Sequence, residues 1–310
     1  MAYLGIDTSN YTTSASLFFP ETNLIVQKKK LLPVKKGEKG LRQSDAVFHH
    51  TQQFPEIFAE LMSQSDEKIT AIGVSTKPRN IDGSYMPCFT VGKGIAECIG
   101  AAEKIKVFPF SHQQGHIVSA LYSADKLELI NEPFIAFHVS GGTTETLLVR
   151  PDSENIISCE IIASSSDLKA GQAVDRVGLM MNLNFPCGAE LDLLSQKSDK
   201  EYRIKAPIKD GNCSLSGVEN KCRKMLENGE TYEDTAKFCI DYISTALEKT
   251  TEYVLEKYGD MPLLFSGGVM SNSTIKKRFT KKFGAYFAES QFSSDNAAGI
   301  AILAYLKEKK

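Results

Sequence analysis

The hydrophobic pattern opens with a short apolar run, Leu4-Gly5-Ile6, then a polar stretch from Asp7 to Thr13, then a partly alternating run over 14–19. Such runs around a polar segment predict two strands joined by a turn. The Lys- and Gly-rich stretch 28–42, with Pro33 inside it, predicts a mobile, solvated connection. Helical spacing covers 44–65 through Val47, Phe54, Ile57, Phe58 and Leu61, and 69–75 reads as a strand. A loop bounded by prolines (77–87) leads to a helix over 91–105 built on Gly92, Gly94, Ala96, Gly100, Ala101 and Ala102. Small residues permit close approach, so this helix is expected to make a tight helix–helix contact. A brief strand at 107–110 delivers a further helix start.

The second half repeats the opening. Residues 134–139 form a strand, Ser140-Gly141-Gly142-Thr143-Thr144 a Gly-rich turn, and 145–149 a return strand. Strand, polar turn and strand thus occur near residue 7 and again near residue 140, a duplication of pattern. Helices follow at 168–182, 190–196 and 235–257. The strand 262–265 then runs into Gly267-Gly268, a helix over 274–283 follows, and a small-residue helix starts at 297.

Composition narrows this little. The chain has 310 residues, 42% hydrophobic and 24% charged, as in an ordinary globular protein. No apolar run approaches the roughly 20 residues of a membrane span. The chain enters a strand at once, without a signal-peptide pattern, so a cytoplasmic protein is expected. Seven scattered Cys without a CxxC point to reduced thiols. The net charge of −2 carries no global nucleic-acid signal; the best local patch is Lys276-Lys277-Arg278 with Lys281-Lys282, which also reads as a solvated helix face.

Candidate chemistry centres on His112-Gln113-Gln114-Gly115-His116. Two imidazoles four residues apart on a helix share one face and can reach one divalent metal. Asp7, among hydroxyl side chains between two strands, could serve a metal-bound phosphate. Gly141 and Gly142 permit positive φ and close approach to a ligand, and Gly267 and Gly268 suit approach of a base or ribose. Asp295, ahead of the last helix, reads equally well as an ordinary N-cap.

Together the duplicated strand–turn–strand loops, the late Gly-Gly turn and the two small-residue helices resemble the actin-like ATPase superfamily of sugar kinases, actin and heat-shock chaperones. That resemblance implies a two-lobed α/β fold with duplicated mixed-sheet lobes, 1–118 with 287–310 and 119–286, clamping a nucleotide. Within it the chain is similar to the tRNA threonylcarbamoyladenosine transferase family, also called glycoproteases or M22 peptidases. The matching motifs are His112-x-x-Gly115-His116, Val139-Ser140-Gly141-Gly142, Ala170-Gly171-Gln172-Ala173-Val174-Asp175, Phe185-Pro186-Cys187-Gly188 with Asp192, Ser214-Leu215-Ser216-Gly217, Gly267-Gly268-Val269-x-x-Asn272 and Ser294-Asp295-Asn296-Ala297.

The resemblance implies one divalent metal, iron or zinc, on His112, His116 and Asp295. It implies the segment Val139 to Thr143, with Ser140, Gly141, Gly142 and Thr143, at the phosphate and acyl end of the ligand. Asp175, Gly188 and Asp192 would hold the ribose and threonyl portion, and Asn272 the adenine side; no catalytic residue is assigned. The ligand would be ATP, AMP or a threonylcarbamoyl-adenylate, and the acceptor the adenosine next to the tRNA anticodon. Expected partners are tRNA, an adenylate-forming enzyme, a paralogous companion subunit and a small ATPase. The chain departs from the family at Asn10-Tyr11-Thr12, at 77–83, at Gln114 and at Thr143, which marks a divergent paralogue. A carbamoyltransferase with another acceptor and a non-catalytic nucleotide-binding companion are the other readings. A metallopeptidase is disfavoured because no HExxH supplies a general base.

Overall fold

The computed structural model describes residues 1–33 and 41–310. Two compact units divide them: 1–131 with 150–159 and 291–310, and 132–149 with 160–290.

In the first unit β1 (Ala2–Ser9), β2 (Thr12–Phe19) and β3 (Leu24–Leu31) form an antiparallel meander. After α1 (Gln43–Met62), strand β4 (Ile69–Lys77) joins parallel to β1. Then α2 (Phe89–Glu103) leads to β5 (Lys106–Ser111), parallel to β4, giving the order β3-β2-β1-β4-β5. Helix α3 (His112–Ser123) follows directly.

The second unit repeats this plan. Its meander is β6 (Phe134–Val139), β7 (Thr144–Asp152) and β8 (Ile156–Ser164). Helices α4 (Ala170–Met180) and α5 (Gly188–Ser195), the short β9 (Ile208–Lys209) and β10 (Asn212–Cys213), α6 (Ser216–Glu227) and the long α7 (Tyr232–Tyr258) come next. Strand β11 (Leu263–Ser266) pairs parallel with β6, α8 (Ser273–Phe283) leads to β12 (Tyr286–Phe287), and the order is β8-β7-β6-β11-β12. After the single turn α9 (Ser290–Ser293), α10 (Ala298–Lys309) returns to the first unit.

Several expectations change. The first turn is only Asn10-Tyr11; Asp7, Thr8, Ser9, Thr12 and Thr13 are buried within β1 and β2. Most buried polar side chains are paired, and Thr8 Oγ1 shows how: it donates to Cys88 O at 3.0 Å and accepts from Gly92 N at 3.1 Å. The supposed connection after residue 28 begins as the end of β3, and 34–40 lie outside the described residues. The glycine face of α2 meets strands rather than a helix. A Cβ on Gly92 would lie 2.8 Å from Thr8 Oγ1, and one on Gly100 would overlap Val107 of β5.

The tight helix pair is α3 with α10. A Cβ on Gly299 would overlap the Gly115 carbonyl oxygen and stand 2.7 Å from Ser119 N. The same helix lies on the sheet, since a Cβ on Gly5 would come 2.5 Å from Ala301 N.

Candidate functional site

Helix α3 starts with a capping box: Ser111 Oγ accepts from Gln114 N at 3.3 Å, and Gln114 Oε1 accepts from Ser111 N at 2.8 Å. This cap fixes the first turn, which carries His112 and, one turn on, His116. The rings meet edge to face with centroids 4.3 Å apart, and their Nε2 atoms are 2.9 Å apart. Asp295 Oδ1 lies 3.2 Å from His116 Nε2 and 3.6 Å from His112 Nε2. Ligands bound at about 2.0–2.1 Å to one ion stand roughly 3.0–3.4 Å apart, so this donor set suits a divalent cation. Among the described residues it is the group of His, Cys, Asp and Glu side chains whose ligand atoms all lie within 4.8 Å of one another.

Asp295 is not the helix cap. Ala297 stands at the N-cap, and it is the neighbouring Asn296 that meets the first turn, its Oδ1 accepting from Ala298 N at 3.0 Å and from Ser119 Oγ at 2.9 Å. Lys29 of β3 steadies the approach to Asp295 by donating to Ser294 Oγ (2.7 Å) and Gln291 O (3.1 Å).

Behind His112 stands Asp7, 1% exposed, with Oδ2 2.7 Å from Nδ1. A carboxylate there holds the proton on Nδ1 and leaves Nε2 to face the other two ligand atoms. Burial pushes the Asp7 carboxyl upward, but the His112 charge and hydrogen bond outweigh it and hold it low. Burial likewise opposes charge on His112, yet Asp7 and Asp295 raise it well above an ordinary imidazole. Asp295, also against burial, is held well below the usual carboxylate range by the two histidines.

The second unit carries a cavity of about 580 Å³. Of the residues singled out in the sequence, Gly141, Asp175, Gly188, Asp192, Gly268 and Asn272 line it; Ser140, Gly142, Thr143 and Gly267 do not. Asp175 Oδ1 accepts from Cys187 N (2.9 Å), which sets that carboxylate at the wall. Asp192 accepts from Asn272 Nδ2 (2.9 Å) and Ser273 N (3.0 Å), and Asn272 Oδ1 caps α8 through Ile275 N (3.0 Å). The Asn272 amide is thus committed to the wall itself. Apolar surface from Val174, Leu193, Ile240 and Val269 completes the cavity; Val174 and Val269 lie within the matching motifs, whereas Leu193 and Ile240 were marked only as ordinary helix.

Glycine is required beside this cavity at Gly267, one of the expected positions, but not at Gly141 or Gly142. Gly141 and Gly142 lack positive φ, and a Cβ on either would meet nothing within 4 Å. Gly267 has φ +98°, and a Cβ there would lie 2.6 Å from Val139 C. A Cβ on Gly171 would come 2.6 Å from Gly141 N, so the start of α4 presses on the 140–143 turn.

Asp167, unmarked in the sequence, pins the Ser214-Leu215-Ser216 segment. It accepts from Ser214 Oγ (2.6 Å), Leu215 N (2.8 Å) and Ser216 Oγ (2.7 Å). Burial opposes its charge, but these donors pull its pKa well below the usual 3.8. A folded pKa below the unfolded one contributes stability that is complete above the unfolded value and lost as pH falls through the folded one. Asp167→Asn should therefore melt below wild type at pH 7, with the gap closing below about pH 4, as read by thermal denaturation from pH 2 to 7. An equal gap at all pH values would contradict this.

Solved structures of similar shape define the class. The chain matches HypF of T. kodakarensis with TM-score 0.63 at 11% identity over 98% of this chain and 47% of that one. It matches component A of the (R)-2-hydroxyglutaryl-CoA dehydratase of Acidaminococcus fermentans with TM-score 0.58 at 16% identity over 100% of both chains. A ROK family glucokinase from Streptomyces griseus gives TM-score 0.52 at 12% identity, again over 100% of both. The chain therefore has the actin-like ATPase fold, an α/β fold built on two mixed sheets.

The family follows from sequence. The chain belongs to the tRNA N6-adenosine threonylcarbamoyltransferase (TsaD) family, whose model matches residues 28–302. A protein of that name from Brachyspira hyodysenteriae is 30% identical over 100% of this chain and 93% of its own length. Another from Mycoplasma mobile is 27% identical over 100% of this chain and 99% of its own.

Proposed function

We propose that this chain transfers a threonylcarbamoyl group from an acyl-adenylate to the adenosine next to the tRNA anticodon, with an iron or zinc ion on His112, His116 and Asp295. The observation that carries the reading is the convergence of those three ligand atoms, with Asp7 orienting His112, in a member of this family. When bound, the ion supplies Lewis-acid stabilisation to the phosphate and the departing charge. Asp7 keeps the proton on Nδ1 of His112, so that Nε2 offers its lone pair. In the second unit, Asp175 accepts from a ribose hydroxyl while Val174, Ile240 and Val269 exclude water from the nucleoside. Gly141 leaves room for an acyl or phosphate oxygen to approach the backbone amides of the 140–143 turn.

Two measurements test this. Protein purified without chelator should carry close to one equivalent of iron or zinc, and the His112→Ala, Asp295→Ala double variant should carry less than about a tenth of that. Equal sub-stoichiometric metal in both would remove the metal site. Incubation with unmodified tRNA, threonine, bicarbonate, ATP and an adenylate-forming enzyme should give threonylcarbamoyl-adenosine in tRNA with wild type only. AMP release without modified adenosine would overturn tRNA as the acceptor.

A further inference from the structure

We infer that His50 is a positioning residue for the metal centre, acting through Ser9 and Asp7 on His112. The inference rests on the reading of His112, His116 and Asp295 as ligands. His50 lies on the inner face of α1, in line with Ala46, Phe54, Ile57 and Leu61, and is 0% exposed. An aliphatic side chain would fill such a position; a buried imidazole is costly unless both nitrogens are paired. Both are. Nε2 donates to Ser9 O at 2.8 Å, and Nδ1 shares a hydrogen bond with Thr13 Oγ1 at 2.8 Å. A carbonyl can only accept, so the proton must sit on Nε2. Burial keeps the ring neutral by lowering its pKa, which suits one nitrogen donating and the other accepting.

Ser9 passes the constraint on. It is the last residue of β1, beside the Asn10-Tyr11 turn, where ladder pairing ends. Its own N–H donates to Asp7 Oδ1 at 2.9 Å, and Asp7 Oδ2 takes His112 Nδ1 at 2.7 Å. A buried line of hydrogen bonds therefore runs from α1 through the end of β1 to the imidazole that faces His116 and Asp295. Each link fixes the next: the Ser9 carbonyl sets its peptide plane, that strand end aims the N–H, and the N–H sets the rotation of the Asp7 carboxylate. Partners behind a ligating histidine commonly alter metal affinity about 10–100-fold when removed.

The test uses the full chain with His50→Leu, His50→Gln and His50→Asn. A Gln amide nitrogen stands near the place of imidazole Nε2 and can still donate to Ser9 O, whereas an Asn amide stands near Nδ1 and reaches Thr13 alone. Zn²⁺ affinity is measured by competition with a chromophoric chelator. In parallel, the exchange rate of the His112 Nδ1 proton is followed by NMR in metal-free protein. Expected are a loss of Zn²⁺ affinity of about tenfold or more for His50→Leu and His50→Asn, near wild-type affinity for His50→Gln, and faster exchange of the His112 proton in the two weakened variants. A folded His50→Leu with wild-type affinity and unchanged exchange would overturn the proposal. If His50→Leu does not fold, the Gln and Asn variants decide, and equal behaviour of the two counts against it. If wild type binds no Zn²⁺, the ligand reading fails. The exchange rates then decide alone: unchanged rates in His50→Asn overturn the role of His50, and faster rates uphold it.

Discussion

Gly299→Ala is expected to destabilise the first unit by about 3 kcal/mol or more and to pull the three proposed metal ligands apart with it. The added methyl would overlap the Gly115 carbonyl oxygen and lie 2.7 Å from Ser119 N, so the obstacle is backbone on both sides. Overpacking against side chains costs about 1–3 kcal/mol because rotamers can yield, but here a helix has to move. Gly115 sits between His112 and His116, while α10 begins three residues after Asp295. Any shift that relieves the overlap therefore separates the carboxylate from the imidazoles. Thermal melting should fall by about 10 °C, and bound metal should drop in proportion to misfolded protein or further. Gly141→Ala is the control: its Cβ meets nothing, and melting should stay within about 1 °C of wild type. A Gly299→Ala protein with wild-type melting and metal content would refute the packing account.

Gln114→Glu should be nearly as damaging, by about 2–5 kcal/mol. Gln114 is 2% exposed and its amide is fully used. Oε1 accepts from Ser111 N and Oγ, and Nε2 donates to Asn155 O and Ile157 O, both at 2.9 Å. A carboxylate keeps the accepting side but sets an anion against two carbonyl oxygens with no proton to offer. The glutamate would ionise reluctantly, and protonation would restore one donor, so the penalty should shrink as pH falls. Urea denaturation at pH 7 and at pH 5 measures both effects; an unchanged midpoint at pH 7 would be inconsistent with the contacts. The departure from the family pattern at this position is thus a matter of how α3 is held, since the side chain engages Ser111 and the backbone of Asn155 and Ile157, not the ligand atoms.

Much of the fold was legible because its signals are local. The β6 strand stands at Phe134–Val139, where a largely apolar run meets a Gly-rich turn, and the spacing of His112 and His116 placed both on one helix face. What pattern could not supply was the identity of the neighbour. The α2 glycines mark a close approach, yet nothing in a helical period says whether a strand or a helix arrives there. Asp7, Thr8 and Thr13 look like turn residues until contacts as distant as Cys88 and His50 satisfy them inside strands. Asp167 was invisible for the same reason, its donors lying 47 to 49 residues along the chain. Asp295 could be joined to the histidines only through family resemblance. As sequence it reads as a cap, but the helix starts two residues later, with Ala297 at the N-cap, and Asp295 faces the histidines instead.

The return of α10 to the first unit has a consequence for synthesis on the ribosome. The five strands of that unit's sheet, with His112 and His116, emerge within the first 131 residues, while the helix that covers Gly5, Gly73 and Gly115 follows only at Ala298–Lys309, after the second unit. Throughout the intervening translation the α10-facing side of β1 and β4 has no cover from its own helix, and the third candidate ligand does not yet exist. Domains ordinarily fold as they emerge. This one has to stay open until α10 has been made, well after the second unit has emerged, so the three proposed ligands can converge only once that intervening unit has had time to fold.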